Sequence, residues 1–139
     1  MEQPNIRVYG RAQPGAPRLT YVWIHRYSTR TERTHWDYWG PAAPSDPLAA
    51  PPPRISNRHW DVIMKWSYKA RSTAELLEIQ ASGDGQKWHK VGTVGAMNTK
   101  ASFLAHDSDN CARLTSTDAN GQSACSQVLW FRGTIPSPQ

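Results

Sequence analysis

Few side chains in this sequence are of types that do chemistry, and their spacing argues for packing. His25 and His35 would approach each other across a hairpin. Zinc takes three or four ligands, and no cysteine or carboxylate set accompanies them, so aromatic-packed or rim histidines are expected. Cys111 and Cys125 lack the base and orienting group that a nucleophile needs, and are expected to be small apolar residues of the last hairpin. Glu75 and Glu78 lie on or near a strand and read as a solvated face, not as the paired carboxylates of glycoside chemistry. His106-Asp-Ser-Asp-Asn110 places oxygen ligands at every second residue. It lacks the glycine and distal glutamate of a helix–loop–helix calcium site, so a polar turn is expected. No glycine loop precedes a helix to cradle phosphate. The expectation is a non-enzymatic protein with no catalytic residue, metal site or cofactor.

Arginine and aromatic residues carry the remaining signal. Every cation before Lys65 is arginine, from Arg7 to Arg58. Arginine forks bind anions bidentately and stack on rings, and Trp, Tyr and Arg dominate protein–protein hot spots. Arg7, Tyr9, Arg11, Trp23, Arg26, Tyr27, Trp36, Tyr38 and Trp39 are the expected interface residues. Two other readings use the same residues: stacking on single-stranded nucleic acid, or covering one end of the protein's own core.

These residues must be positioned by strands. The chain of 139 residues has the size of one domain with extensions. Its seven tryptophans and eleven prolines suit a small aromatic core with punctuated loops. Net charge is +5, spread along the sequence, which favours anionic partners without marking a nucleic-acid site. No apolar run reaches the roughly 20 residues of a membrane span. The N-terminus lacks a signal-peptide pattern, so synthesis in a cytoplasm without membrane insertion is expected.

Composition divides the chain into an arm with an aromatic hairpin (1–40), a proline-rich connector or first edge strand (41–53), a strand-rich domain (54–133) and a polar tail (134–139). In the arm, 5–9 reads as a short strand and 18–27 as a long one. Leu19, Tyr21, Trp23, His25 and Tyr27 would share one face of it, opposite Val22 and Ile24. Residues 34–39 would return as its partner.

Further strands are expected over 61–67, with Val62, Met64 and Trp66 inward, and over 76–81, with Leu77, Ile79 and Ala81 inward. Others follow over 87–94, 101–105, 112–117 and 123–131, with one helical turn at 71–76. Gly83-Asp84-Gly85 and Asp118–Gly121 are turn material. In a hairpin about Asp118–Gly121 the two cysteines fall out of register, so free thiols are expected.

Ser82, Asp84-Gly85 and Trp88 resemble the Ser-Asp-Gly-Trp hairpin of microbial and phage fibronectin type III domains. Arg113-Leu114, Asn120-Gly121, Ser123 and Ser126 resemble the last hairpin of that family, and Pro41–Pro47 with Trp66 its first two strands. Ala112 stands where the family usually carries a tyrosine. The resemblance covers roughly 41–133 and implies an all-β, immunoglobulin-like (fibronectin type III-like) β-sandwich with an N-terminal arm or hairpin.

Such domains are binding and spacing modules. The expected function is a structural protein of a bacteriophage virion, a capsid decoration or tail-associated protein docked by its arm onto capsid or tail proteins or onto its own copies. A carbohydrate-binding surface module, stacking sugars on Trp36, Trp39 or Trp88, is the alternative. A nucleic-acid-binding accessory protein is the second.

Overall fold

The structure, a computed structural model, describes residues 6–28, 33–40, 60–68 and 76–132. The connector 41–53, the helical turn expected at 71–76 (save Leu76) and the tail 134–139 lie outside the described residues. Ten strands are described: β1 (Arg7–Tyr9), β2 (Arg18–Ser28), β3 (Arg33–Trp39), β4 (Trp60–Ser67), β5 (Leu76–Ser82), β6 (His89–Gly95), β7 (Lys100–Ala105), β8 (Cys111–Thr117), β9 (Ser123–Cys125) and β10 (Val128–Trp130).

They form two antiparallel sheets. One runs β1-β10-β8-β5-β6, with β9 also beside β8, and the other runs β3-β2-β4-β7. Strand alternation gives each sheet one apolar face, and the two faces close on each other as a β-sandwich. Val62, Met64 and Trp66 meet Leu77, Ile79 and Ala81 in one buried cluster, with Phe103, Leu114, Leu129 and Phe131. The inward residues of β4 and β5 are those that alternation predicts.

Composition separates 1–40 from 54–133, but hydrogen bonding does not. β2 lies between β3 and β4, with Val22, Trp23 and Ile24 opposite Met64, Ile63 and Val62. Leu19, Val22 and Ile24 belong to the common core, and β1 pairs with β10 in the other sheet. The physical reason is that a lone two-stranded ribbon is marginal in water, whereas β2 gains neighbours on both sides within a four-stranded sheet.

Two local departures follow from pairing. The register of β2 against β4 shifts between Leu19 and Tyr21. This bulge turns Leu19, 1% exposed, onto the core side with Val22 and Ile24, although strict alternation puts it with Tyr21 and Trp23. The strand expected over 123–131 is broken in two. At the break, Ser126 Oγ accepts the Leu114 N–H at 2.9 Å and Gln127 Oε1 accepts the Leu19 N–H at 2.9 Å. These bonds satisfy backbone donors on both sheets where the ladder is interrupted.

The β5–β6 hairpin is tied by its own side chains. Asp84 Oδ1 accepts the N–H groups of Gln86 and Lys87 at 2.8 and 2.9 Å, and Ser82 Oγ accepts that of Gly85 at 2.9 Å. Gly85 has φ +77°, and a Cβ there would lie 3.7 Å from the Trp130 ring, so the loop rests on the sheet face over Trp130 and Cys111. Hydrogen bonds from the Lys87 and Gln86 amides hold the Asp84 carboxyl down at about 2, against an ordinary 3.8. Its stabilising contribution is complete above 3.8 and is lost as pH falls through about 2. Carboxyl-detected NMR should therefore show Asp84 titrating well below the ordinary aspartate value, and Asp84→Ala should speed amide exchange at Gln86 and Lys87. Ordinary titration at Asp84 would contradict this geometry.

Candidate functional site

The side of the second sheet turned away from the core is where three of the expected interface aromatics, Trp23, Trp36 and Tyr38, meet. Past the bulge, β2 alternates strictly, so Tyr21, Trp23 and His25 point outward while Val22 and Ile24 point in. On β3, Trp36 and Tyr38 lie opposite His25 and Trp23. β4 adds Asp61, opposite His25, and Ile63, opposite Trp23.

The rings form a ladder. Tyr21 stacks on Trp23 with centroids 4.6 Å apart and planes at 21°. Trp36 and Tyr38 are parallel within 14° at 6.3 Å, and His25 is tilted against Trp36 at 4.8 Å. Trp23, His25, Asp61 and Ile63 are buried, whereas Tyr21, Trp36 and Tyr38 are half-buried and form the reachable rim. Stacked, partly exposed rings with few rotatable bonds present apolar area at low entropic cost.

Burial sets the electrostatics of this face. It pushes His25 below its ordinary 6.5, against the weaker opposing pull of the Asp61 charge. It also raises the Tyr38 hydroxyl, with Asp37 and Tyr21 adding to the effect. A neutral imidazole packed between Trp36 and Asp61 is thus the stable form, and stability has a definite pH dependence. Above pH 6.5 the contribution is complete; below it the unfolded chain takes up a proton that the folded chain resists, and stability falls. The urea midpoint should therefore drop between about pH 7.5 and about pH 5, and drop less in His25→Phe. Equal drops in both proteins would rule out His25 as the source.

The remaining expected interface residues are distributed elsewhere. Arg7 and Tyr9 stand on β1, facing outward from the first sheet, and Tyr9 is 41% exposed. Arg11 is exposed just beyond Gly10. Arg26 and Trp39 turn to the core side of β2 and β3, where Trp39 packs against the buried cluster. Tyr27 pairs with Thr34 in the ladder, and its side chain lies outside the described residues. Of the rings considered for sugar stacking, Trp88 carries the Arg113 guanidinium 4.2 Å from its centroid.

Sequence reasoning placed Tyr21 and His25 on one face with Trp23 but did not name them among the interface residues. The signal was present, since both share strand parity with Trp23. It also missed the polar row on the opposite sheet. There Gln80 Oε1 accepts from Arg113 Nε at 2.8 Å and from Thr115 Oγ1 at 3.1 Å, while Gln80 Nε2 donates to Glu78 at 2.6 Å.

Both cysteines are free thiols. Thr115 lies opposite Cys125, whereas Cys111 pairs with Trp130 and Ser82, so the two sulfurs belong to different rungs. Burial pushes the Cys111 thiol up to about 11, which suits an inert core residue. In the 106–110 turn, Asp109 is buried, its Oδ2 accepts the His106 N–H at 3.3 Å, and its Oδ1 lies 3.2 Å from His89 Nε2. Among the described residues, no group of three or more His, Cys, Asp or Glu is placed to hold a metal ion. Among the described residues, no helix is long and apolar enough to cross a membrane.

Comparison with protein-family models, curated proteins and solved structures finds no match. The protein is an all-β sandwich of two antiparallel sheets.

Proposed function

We propose that this chain is a non-enzymatic binding protein that docks onto a larger assembly through the aromatic outer face of its second sheet. The observation that carries the reading is the double ring ladder, Tyr21–Trp23 beside Trp36–Tyr38, on a sheet whose other face already supplies the core. Tyr21, Trp36 and Tyr38 stay half-exposed at the rim of buried Trp23, His25 and Ile63, and such rigid apolar anchors suit an interface. The fibronectin type III-like wording of the hairpins supports an immunoglobulin-like module of a bacteriophage particle. Its partners there would be capsid or tail proteins.

The paired substitution Trp36→Ala, Tyr38→Ala in the full chain tests this. Its melting temperature should stay within a few degrees of wild type, because both rings are half-buried and outside the core cluster. Incorporation into particles assembled from the capsid and tail proteins encoded with it should be lost. Normal incorporation would reject the reading.

A further inference from the structure

The outward cations of the second sheet gather at one end of its outer face. Residues directly opposite each other on paired strands share a side of the sheet, so the registers give the rows across it. Trp36, His25 and Asp61 make one row, and Tyr38, Trp23 and Ile63 make the next. The row after that changes character. Tyr21 lies opposite Lys65, and Lys65 lies opposite Lys100. Beyond it, Arg18 stands opposite Ser67. Rings and cations thus share one continuous surface, with Tyr21 at the boundary.

Lys65 and Lys100 are like charges set directly across two strands, where Cβ atoms lie about 4.5–5.5 Å apart. Such pairs repel, and the described residues supply no counter-charge. Arg18, Lys65 and Lys100 make no ion pair among the described residues. Asp61 is the one acid among the described outward side chains of this sheet, and it is buried two rows away, opposite His25. Asp37 turns to the core side, toward Arg26 and His35. All three cations are exposed, so their charged heads are open to a partner. An anion brought between Lys65 and Lys100 gains two attractions and offsets one repulsion.

We propose that Arg18, Lys65 and Lys100 form the electrostatic border of the docking face and meet clustered carboxylates on the partner protein, beside the apolar patch that takes the rings. The local segregation of charge identifies this chemistry, because rings and cations on one surface are matched by apolar area and acids on the other. A single-stranded nucleic acid fits less well. Tyr21 is stacked on Trp23, and His25 is tilted on Trp36, which takes up ring faces that bases would need. The inference rests on the reading that this face docks on a protein, and it adds the chemistry of the surface that the partner presents. Charges at the border of an interface act chiefly on the encounter rate and its salt dependence.

The test follows association of the full-length, labelled chain with particles assembled without it from the capsid and tail proteins encoded with it. Wild-type association should slow as salt rises. Lys65→Glu, Lys100→Glu should slow it at least about tenfold and flatten the salt dependence. Lys87→Glu, Lys90→Glu changes the net charge equally but in the β5–β6 hairpin of the other sheet, and should slow it less than about twofold. Lys65→Gln, Lys100→Gln should melt no lower than wild type, because a repulsion is removed, and should still associate more slowly. Equal slowing by the two glutamate pairs would mean that overall charge steers docking, and that overturns the proposal. So does wild-type association of the Lys65→Glu, Lys100→Glu protein. An oligothymidylate that binds the wild type and not Lys65→Glu, Lys100→Glu would make the row a nucleic-acid site and overturn it as well. If the wild type does not associate at all, the docking reading fails with it. If Trp36→Ala, Tyr38→Ala abolishes association while the lysine variants dock normally, only this inference fails.

Discussion

Deleting residues 1–40 should leave a chain with no cooperative unfolding transition. The deletion removes β1, β2 and β3, and with β2 the strand that flanks β4 on one side. Val62, Met64 and Trp66 would lose Leu19, Val22 and Ile24 as partners in the buried cluster. Burying each such side chain contributes about 1.5–3 kcal/mol. The three together rival the roughly 5–15 kcal/mol by which whole domains are stable. Removal of β2 also exposes the β4 edge, whose unpaired N–H and C=O groups template aggregation. Thermal melts followed by circular dichroism, with size-exclusion chromatography, would check this. A truncated protein that stays monomeric and melts cooperatively near the wild-type temperature would show that 54–133 folds alone, as composition suggests.

Trp66→Ala should be the most damaging single substitution in the second sheet. Trp66 is 1% exposed and contacts both sheets through the core cluster. Truncating a buried Trp costs about 3–5 kcal/mol, through lost transfer energy and the cavity left behind. Trp66→Phe separates volume from polarity. The Trp66 indole N–H is buried with no hydrogen-bond partner among the described residues, so phenylalanine discards an unmatched donor along with some volume. Its cost should be clearly smaller than that of alanine. Urea unfolding of both variants measures the difference, and equal losses would mean that the indole N–H is paired in solution.

Much of the sandwich is legible in the sequence because a strand encodes its own faces. Val62, Met64 and Trp66 fall on one side at period two, as do Leu77, Ile79 and Ala81, and all six reach the core. Gly83-Asp84-Gly85 is equally local, since the Asp84 carboxylate reaches amides only two and three residues away. The ring face is half-legible. Trp23, Trp36 and Tyr38 are recognisable as unusual, but Arg26 and Trp39 lie on the opposite side of the same strands. Type and proximity in sequence do not separate them; strand parity does.

Sequence alone thus determined which residues alternate, where the chain turns and which segments are strands, because those depend on neighbours a few residues apart. Tertiary structure decided which strands pair. It set β2 beside β4 and β1 beside β10, placed the bulge that turns Leu19 inward, and put the two cysteines on separate rungs. It also brought Arg26, Trp60 and Arg132 together from three distant points of the chain. The physical reason is that backbone hydrogen bonds and core burial reward any strand with a suitable apolar face. Partner choice is therefore a property of the whole packed set, not of the segment. Composition marked the first forty residues as different, and packing made their central strand part of the core.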